Sequence, residues 1–323
     1  MAPIISEADL ASIRETLSLF VSGVTGGSKI DEDALTVTNF EELRARVVSE
    51  LESTSLRDHM DFLNSKNQLN LACHVAADFA YGRGLDYQVL YAMVTIFFFH
   101  VEDVLEHNTD VLQNFLLRLA RGECLGDPVL NWFARELGPL LRKHFEPLVA
   151  NMITVACFDF LNGFGIETIM RDVPVSPQAP QFPEWLRFKT GLSPMYAPLT
   201  LARHSDVSLV NKTDGSLVKY VQAIPDVIIF TNVVNDVISF YKELAAGEKG
   251  NYIDQRADRE GVSVVTALRI NAEEGIAAYR RVLVILANEP EYRANFEAYA
   301  RGITHFHTSS RRYRLRDLFG DLE

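Results

Sequence analysis

Three residues with oxygen-bearing side chains recur at intervals of four in one stretch: Asn235, Ser239 and Glu243. In a helix, successive members are offset by ~40° around the axis and ~6 Å along it, so an amide, a hydroxyl and a carboxylate share one stripe. These are hard oxygen donors of the kind magnesium accepts, and three of them leave coordination positions for water and for substrate phosphate oxygens. Asp236 lies about 100° round the same helix and suits orienting Asn235 or a neighbouring helix better than joining the same ion. Lys242 adds a cation at the same end. A polar stripe is ordinarily a solvated helix face. Here the upstream residues 228–234 are predominantly apolar, which predicts a buried helix that reaches a mouth.

The run Asn235-Asp236-Val237-Ile238-Ser239-Phe240-Tyr241-Lys242-Glu243 resembles the second metal motif of class I terpene cyclases. Ser310-Arg311-Arg312-Tyr313-Arg314-Leu315 resembles the C-terminal Asp-Arg-Arg-Tyr-Arg-Leu of the sesquiterpene-forming members, and Phe182-Pro183-Glu184-Trp185-Leu186-Arg187 resembles the segment carrying their phosphate-sensing arginine. Order and spacing agree over roughly residues 85–320. The resemblance implies an all-α fold, the class I terpene synthase helical bundle around an apolar active-site cavity. It implies Mg2+ as cofactor, three ions as in the family, and farnesyl diphosphate as substrate. Asn235, Ser239 and Glu243 would hold one ion, and Arg187, Lys242, Arg312 and Tyr313 would donate hydrogen bonds to the diphosphate. Guanidinium forks and an ammonium suit that anion, because they stabilise it as the carbon–oxygen bond breaks.

The family's first metal motif is Asp-Asp-x-x-Asp, and the matching residues here are Glu102, Asp103 and Glu106. Glu102 and Glu106 are four apart, and Asp103 and Glu106 three apart, so their carboxylates can still converge on magnesium. A register that uses Asp103, Glu106 and His107 stays open. Ser310 stands where the family has an aspartate that pairs with the neighbouring arginine, and that pair is lost. An allylic cation needs an apolar cavity with aromatic faces; the pool for such walls is Phe97, Phe98, Phe158, Phe160, Phe164, Phe230 and Trp185, most of them also suited to the core. His74, His100, His305 and His307 have no partner at a diagnostic spacing and receive no role. Humulene-type and bisabolyl-type ring closures are both open. A prenyl-chain-elongating synthase would need an Asp-rich motif on each wall, and a non-catalytic helical scaffold would need none of these groups.

The elements that must position these residues carry helical period almost throughout. Ser6-Glu7-Ala8-Asp9 reads as a capping box opening a short helix. Helices are predicted over residues 40–51, 61–81, 87–107, 110–121 and 128 onward to 165, then over 217–246, with two more ending near Phe319. Irregular stretches fall at 172–183, which has four prolines, and at 204–216. Asn162-Gly163-Phe164-Gly165 reads either as a helix break beside a cavity or as a close helix approach.

Hydrophobic residues are 48% and charged residues 23% of the 323, enough to bury a sizeable core in one domain spanning 1–323. A net charge of −12 excludes a nucleic-acid surface, which needs a basic face. Cys73, Cys124 and Cys157 offer neither a disulfide framework nor zinc spacing and suit a reducing compartment. The N-terminus lacks the basic and apolar regions of a signal peptide, and the run from Tyr91 to Phe99 is too short for a bilayer, which takes ~20 residues. The expectation is a cytoplasmic enzyme with a small-molecule partner, no nucleic acid, no membrane insertion, and a homodimer allowed.

Overall fold

The computed structural model describes residues 6–26, 40–105, 108–170, 173–202 and 217–320. Among these there is no strand. The helices of nine residues or more, in chain order, are α1 (Glu7–Thr25), α2 (Phe40–Glu52), α3 (Gln68–Phe79), α4 (Leu85–Val104), α5 (Thr109–Ala120) and α6 (Pro147–Met170). They continue with α7 (Phe182–Thr190), α8 (Ser193–Leu201), α9 (Ile224–Ala246), α10 (Tyr252–Glu260), α11 (Val264–Ile285) and α12 (Pro290–Ser309). Helix α9 packs against α8, α11 and α12, while α3 joins α4 to α12.

Local chemistry explains most boundaries. The Ser6 hydroxyl accepts from the Asp9 amide at 3.1 Å, starting a helix that is long rather than short. The helix predicted over 61–81 is split at Asn67, whose φ of 56° is the left-handed conformation that asparagine tolerates. Past 128 the predicted helix is interrupted by a π turn at Phe133–Leu137, just before Pro139, which has no amide hydrogen to continue the ladder. Beyond α9 there are three helices, α10 to α12, and the short Leu315–Phe319, where two were expected. The short Leu217–Tyr220 precedes α9, which begins at Ile224.

Helix α6 runs through Gly163 and Gly165 without a break. A Cβ at Gly163 would lie 2.7 Å from the Lys189 carbonyl oxygen, so the glycine serves close approach to α7. Gly302 does the same between α12 and α3: a Cβ there would collide with the Asp78 carbonyl. Gly302→Ala should therefore push the two helices apart and lower stability by about 2 kcal/mol, read as a fall in the thermal unfolding midpoint.

Pro147–Met170 and Leu217–Ala246 are, by length and composition alone, long and apolar enough to cross a bilayer, unlike the shorter run Tyr91 to Phe99. The second stretch is mostly buried inside the bundle. The first packs on α7 and α8 and leaves Leu148, Val155 and Ile169 exposed.

Candidate functional site

Helix α9 ends in a left-handed Gly247, whose amide bonds the Leu244 carbonyl while the Glu248 amide bonds that of Glu243. This double closure stops the helix one turn after Glu243. Asn235, Ser239 and Glu243 accordingly run along α9 to its end, and all three line one cavity of about 240 Å³. Lys242 lines it too, with Nζ 3.7 Å from a Glu243 oxygen, and the other Glu243 oxygen accepts from Asn251 Nδ2 at 3.0 Å.

The facing wall comes from α3, α4, α8 and α12. Leu71, Val75, Phe79, Phe99, Tyr196, Ile303 and Phe306 supply an apolar lining, and Glu102, Arg187, Arg312 and Tyr313 reach the same cavity. Of the expected residues on the first motif, Glu102 faces the cavity. Asp103 turns to α3, where it accepts from Gln68 Nε2 at 3.0 Å. The ~100° helical step separates the two neighbours. Glu106 and His107 lie outside the described residues.

Arg187 is tied to α9. Its Nε and Nη2 donate to Asp236 Oδ1 at 2.9 and 2.7 Å, and Nη2 also reaches Asn235 Oδ1 at 3.3 Å. Burial pushes the Asp236 carboxyl up while the Arg187 guanidinium pulls it back. Asn235 is held on its other side by His307: Nδ2 donates to His307 Nε2 at 3.4 Å, and His307 Nδ1 donates to the Ile303 carbonyl at 2.8 Å. Burial lowers the His307 ring to about 4, so it is neutral at physiological pH. The Tyr313 ring sits 4.8 Å from that of His307, and burial raises its hydroxyl to about 12. Ser310 starts the turn Arg311–Tyr313 by accepting from the Arg312 amide at 3.3 Å, so it serves as a cap where the family pattern has an ion-pairing aspartate.

Glu102 is exposed to solvent and lines the cavity. Desolvation raises its carboxyl from 4.5 to about 7, opposed by Arg312 and reinforced by Asp103 and Glu167. A raised folded-state value gives stability that is present below about 4.5 and lost as pH rises through about 7. Wild type should thus lose more stability between pH 5 and 8 than Glu102→Gln, measured by urea unfolding. Equal slopes would remove Glu102 as the cause. His307 acts oppositely, its contribution falling away below 6.5 toward about 4, and it cancels in the comparison.

The donor set fits magnesium by its chemistry: an amide, a buried hydroxyl and one carboxylate on α9, faced by Glu102, all hard oxygen. Among the described residues no three His, Cys, Asp or Glu side chains cluster, as softer or tighter metal cages would require.

The family model of trichodiene synthase matches residues 82–323. The chain belongs to the trichodiene synthase family. It is 33% identical over 250 residues to an alpha-cuprenene synthase of Coprinopsis cinerea, covering 76% of this chain and 72% of that one. A monoterpene synthase of Postia placenta is 30% identical over 295 residues, 90% of this chain and 84% of its own. The structure of a linalool/nerolidol synthase from Streptomyces clavuligerus superposes with a TM-score of 0.62 over 83% of this chain and 95% of that one, at 15% identity. That likeness concerns the fold, the class I terpene synthase bundle.

In this member of the trichodiene synthase family, the aromatic pool drawn from the sequence is largely core. Phe97, Phe98, Phe160 and Phe230 are buried away from the cavity, Phe158 packs between Phe115 and Phe133, Phe164 stacks on Phe160, and Trp185 is 46% exposed. The cavity rings are Phe79, Phe99, Tyr196, Phe306, His307 and Tyr313. His307 and the Asp236–Arg187 pair also escaped the sequence. Their partners are 72 and 49 positions away, so no local spacing signals them.

Proposed function

We propose that this terpene cyclase ionises farnesyl diphosphate with magnesium and closes the resulting cation into a sesquiterpene. The observation that carries the reading is a single cavity lined both by oxygen donors and by aromatic rings. Magnesium held by Asn235, Ser239 and Glu243, with Glu102 from the opposite wall, would neutralise charge on the diphosphate. Arg187, Lys242, Arg312 and Tyr313 donate to diphosphate oxygens as the carbon–oxygen bond breaks and the electron pair leaves with the diphosphate. The allylic chain lies against Phe79, Phe99, Tyr196 and Phe306, whose faces favour positive charge and exclude water until a proton is lost. One of the relatives is named a monoterpene synthase, so the ten-carbon substrate is tested beside the others.

The test is incubation with geranyl, farnesyl and geranylgeranyl diphosphate under an organic overlay, analysed by gas chromatography, with diphosphate assayed in the aqueous layer. Cyclic fifteen-carbon product from farnesyl diphosphate is expected, lost on chelation with EDTA and restored by magnesium. No diphosphate release from any substrate would defeat the enzyme reading; condensation to longer diphosphates would favour a prenyl-elongating synthase.

A further inference from the structure

The side-chain amide of Asn235 has two ends that look alike in shape and opposite in chemistry. Only the oxygen can ligate a hard cation; the NH2 group would repel one. What decides which end faces the donor stripe is the set of hydrogen bonds around it. The carbonyl of Ile303 can only accept, so the His307 nitrogen 2.8 Å from it, Nδ1, must carry the ring proton. A neutral ring then leaves Nε2 as a bare acceptor, and Nε2 lies 3.4 Å from Asn235 Nδ2. The Arg187 guanidinium, which can only donate, lies 3.3 Å from Asn235 Oδ1 on the other side. Both contacts demand the same orientation.

The ring that imposes this has little freedom to rotate. His307 is 4% exposed and is packed by the rings of Phe79, Phe306 and Tyr313. Arg187 is expected to leave Asn235 for the diphosphate during turnover, and His307, beside the Tyr313 hydroxyl that also bonds Asn235, then remains to hold the amide. We infer that His307 is a positioning residue: by accepting from Asn235 Nδ2 it holds the amide oxygen toward the metal stripe. The inference rests on the proposed magnesium site. His307 need not touch metal or substrate to act in this way.

The test uses the full-length protein, magnesium and inorganic diphosphate. Calorimetric titration of wild type should show diphosphate binding only with magnesium; without that, the proposed function fails and takes this inference with it. Given that binding, His307→Leu and His307→Asn, which cannot present an acceptor at the Nε2 position, should weaken the apparent magnesium affinity about fivefold, the worth of one neutral hydrogen bond. His307→Gln, whose carbonyl can reach that position, should recover most of it. Loss of equal size in all three makes His307 a packing residue and overturns the inference, as does wild-type affinity in Leu and Asn variants whose circular dichroism is native. Nitrogen-15 NMR of the wild-type imidazole gives a check that needs no substitution: the Nδ1–H tautomer is expected, and an Nε2–H tautomer would overturn the assignment while leaving the proposed function intact.

Discussion

Asn235→Ala and Glu243→Gln should each reduce diphosphate release to background, a loss on the order of a thousandfold or more. Both residues line the cavity from α9, one at each end of the stripe. Glu243→Gln keeps size and removes charge, and so separates ligation from packing. The Asn251 contact at 3.0 Å can persist with a glutamine oxygen, so the loop after Gly247 should stay in place. Asp226→Ala is the control: it sits on the same helix, pairs with Arg281 at 2.7 Å on the surface, and should leave turnover unchanged. Full turnover in either of the first two variants would sink the magnesium assignment.

The second large effect is on stability. Asp236 and Arg187 form a buried pair, with side chains 8% and 18% exposed. Removing the carboxylate in Asp236→Ala takes away the hydrogen-bonded counter-ion of a largely buried guanidinium and leaves it only the charges of Glu167 and Glu243, a change that costs about 3 kcal/mol. The thermal midpoint should fall by roughly 5 °C or more. Asp236→Asn retains an acceptor for Nε and should lose less. Should the alanine variant unfold with wild type, Arg187 does not depend on the pair for its place. The same substitution frees Arg187 to move, so any activity that survives should show a raised KM for the diphosphate substrate.

These two predictions differ in how far the sequence announces them. The stripe is readable because its members lie on one helix, where a spacing of four fixes a shared face whatever the rest of the chain does. Its burial was also readable, from the apolar residues just upstream. Asp236 could be assigned to a neighbour by its angle, but nothing local identifies that neighbour as Arg187, because the contact crosses from α7 to α9. His307 is less readable still: a lone histidine on an apolar helix gives no sign of the amide it faces. The rings were misplaced for a related reason. Phe97, Phe98 and Phe99 are consecutive, and in α4 each points a different way, so Phe99 reaches the cavity while the others enter the core. Helix existence followed from period, whereas breaks such as Asn67 and the π turn depend on single backbone dihedrals. The glycines of α6 lacked the context that decides them, which is the Lys189 backbone of another helix.

The first metal wall shows where a motif and a fold diverge. Glu102 and Asp103 are adjacent in the chain, yet Gln68 draws Asp103 aside at 3.0 Å and Glu102 alone among the described acidic residues of α4 faces the stripe. Glutamate's extra methylene gives the one carboxylate left on that wall a longer reach into the cavity.

Phe79 belongs to two structures at once. Its ring is a wall of the cavity, and it also lies within about 6 Å of the rings of Tyr91, Tyr196, Tyr299, Phe306 and His307. A descendant that reshapes its chamber by trimming this residue must also rebuild the junction of several helices, and both changes have to arrive together. Leu71, Val75 and Leu192 are smaller aliphatic side chains of the same wall, outside that cluster of rings. Diversification of the chamber should therefore begin at the aliphatic positions and reach Phe79 last, so the order in which new product outlines become accessible to the lineage is set by how the interior is braced.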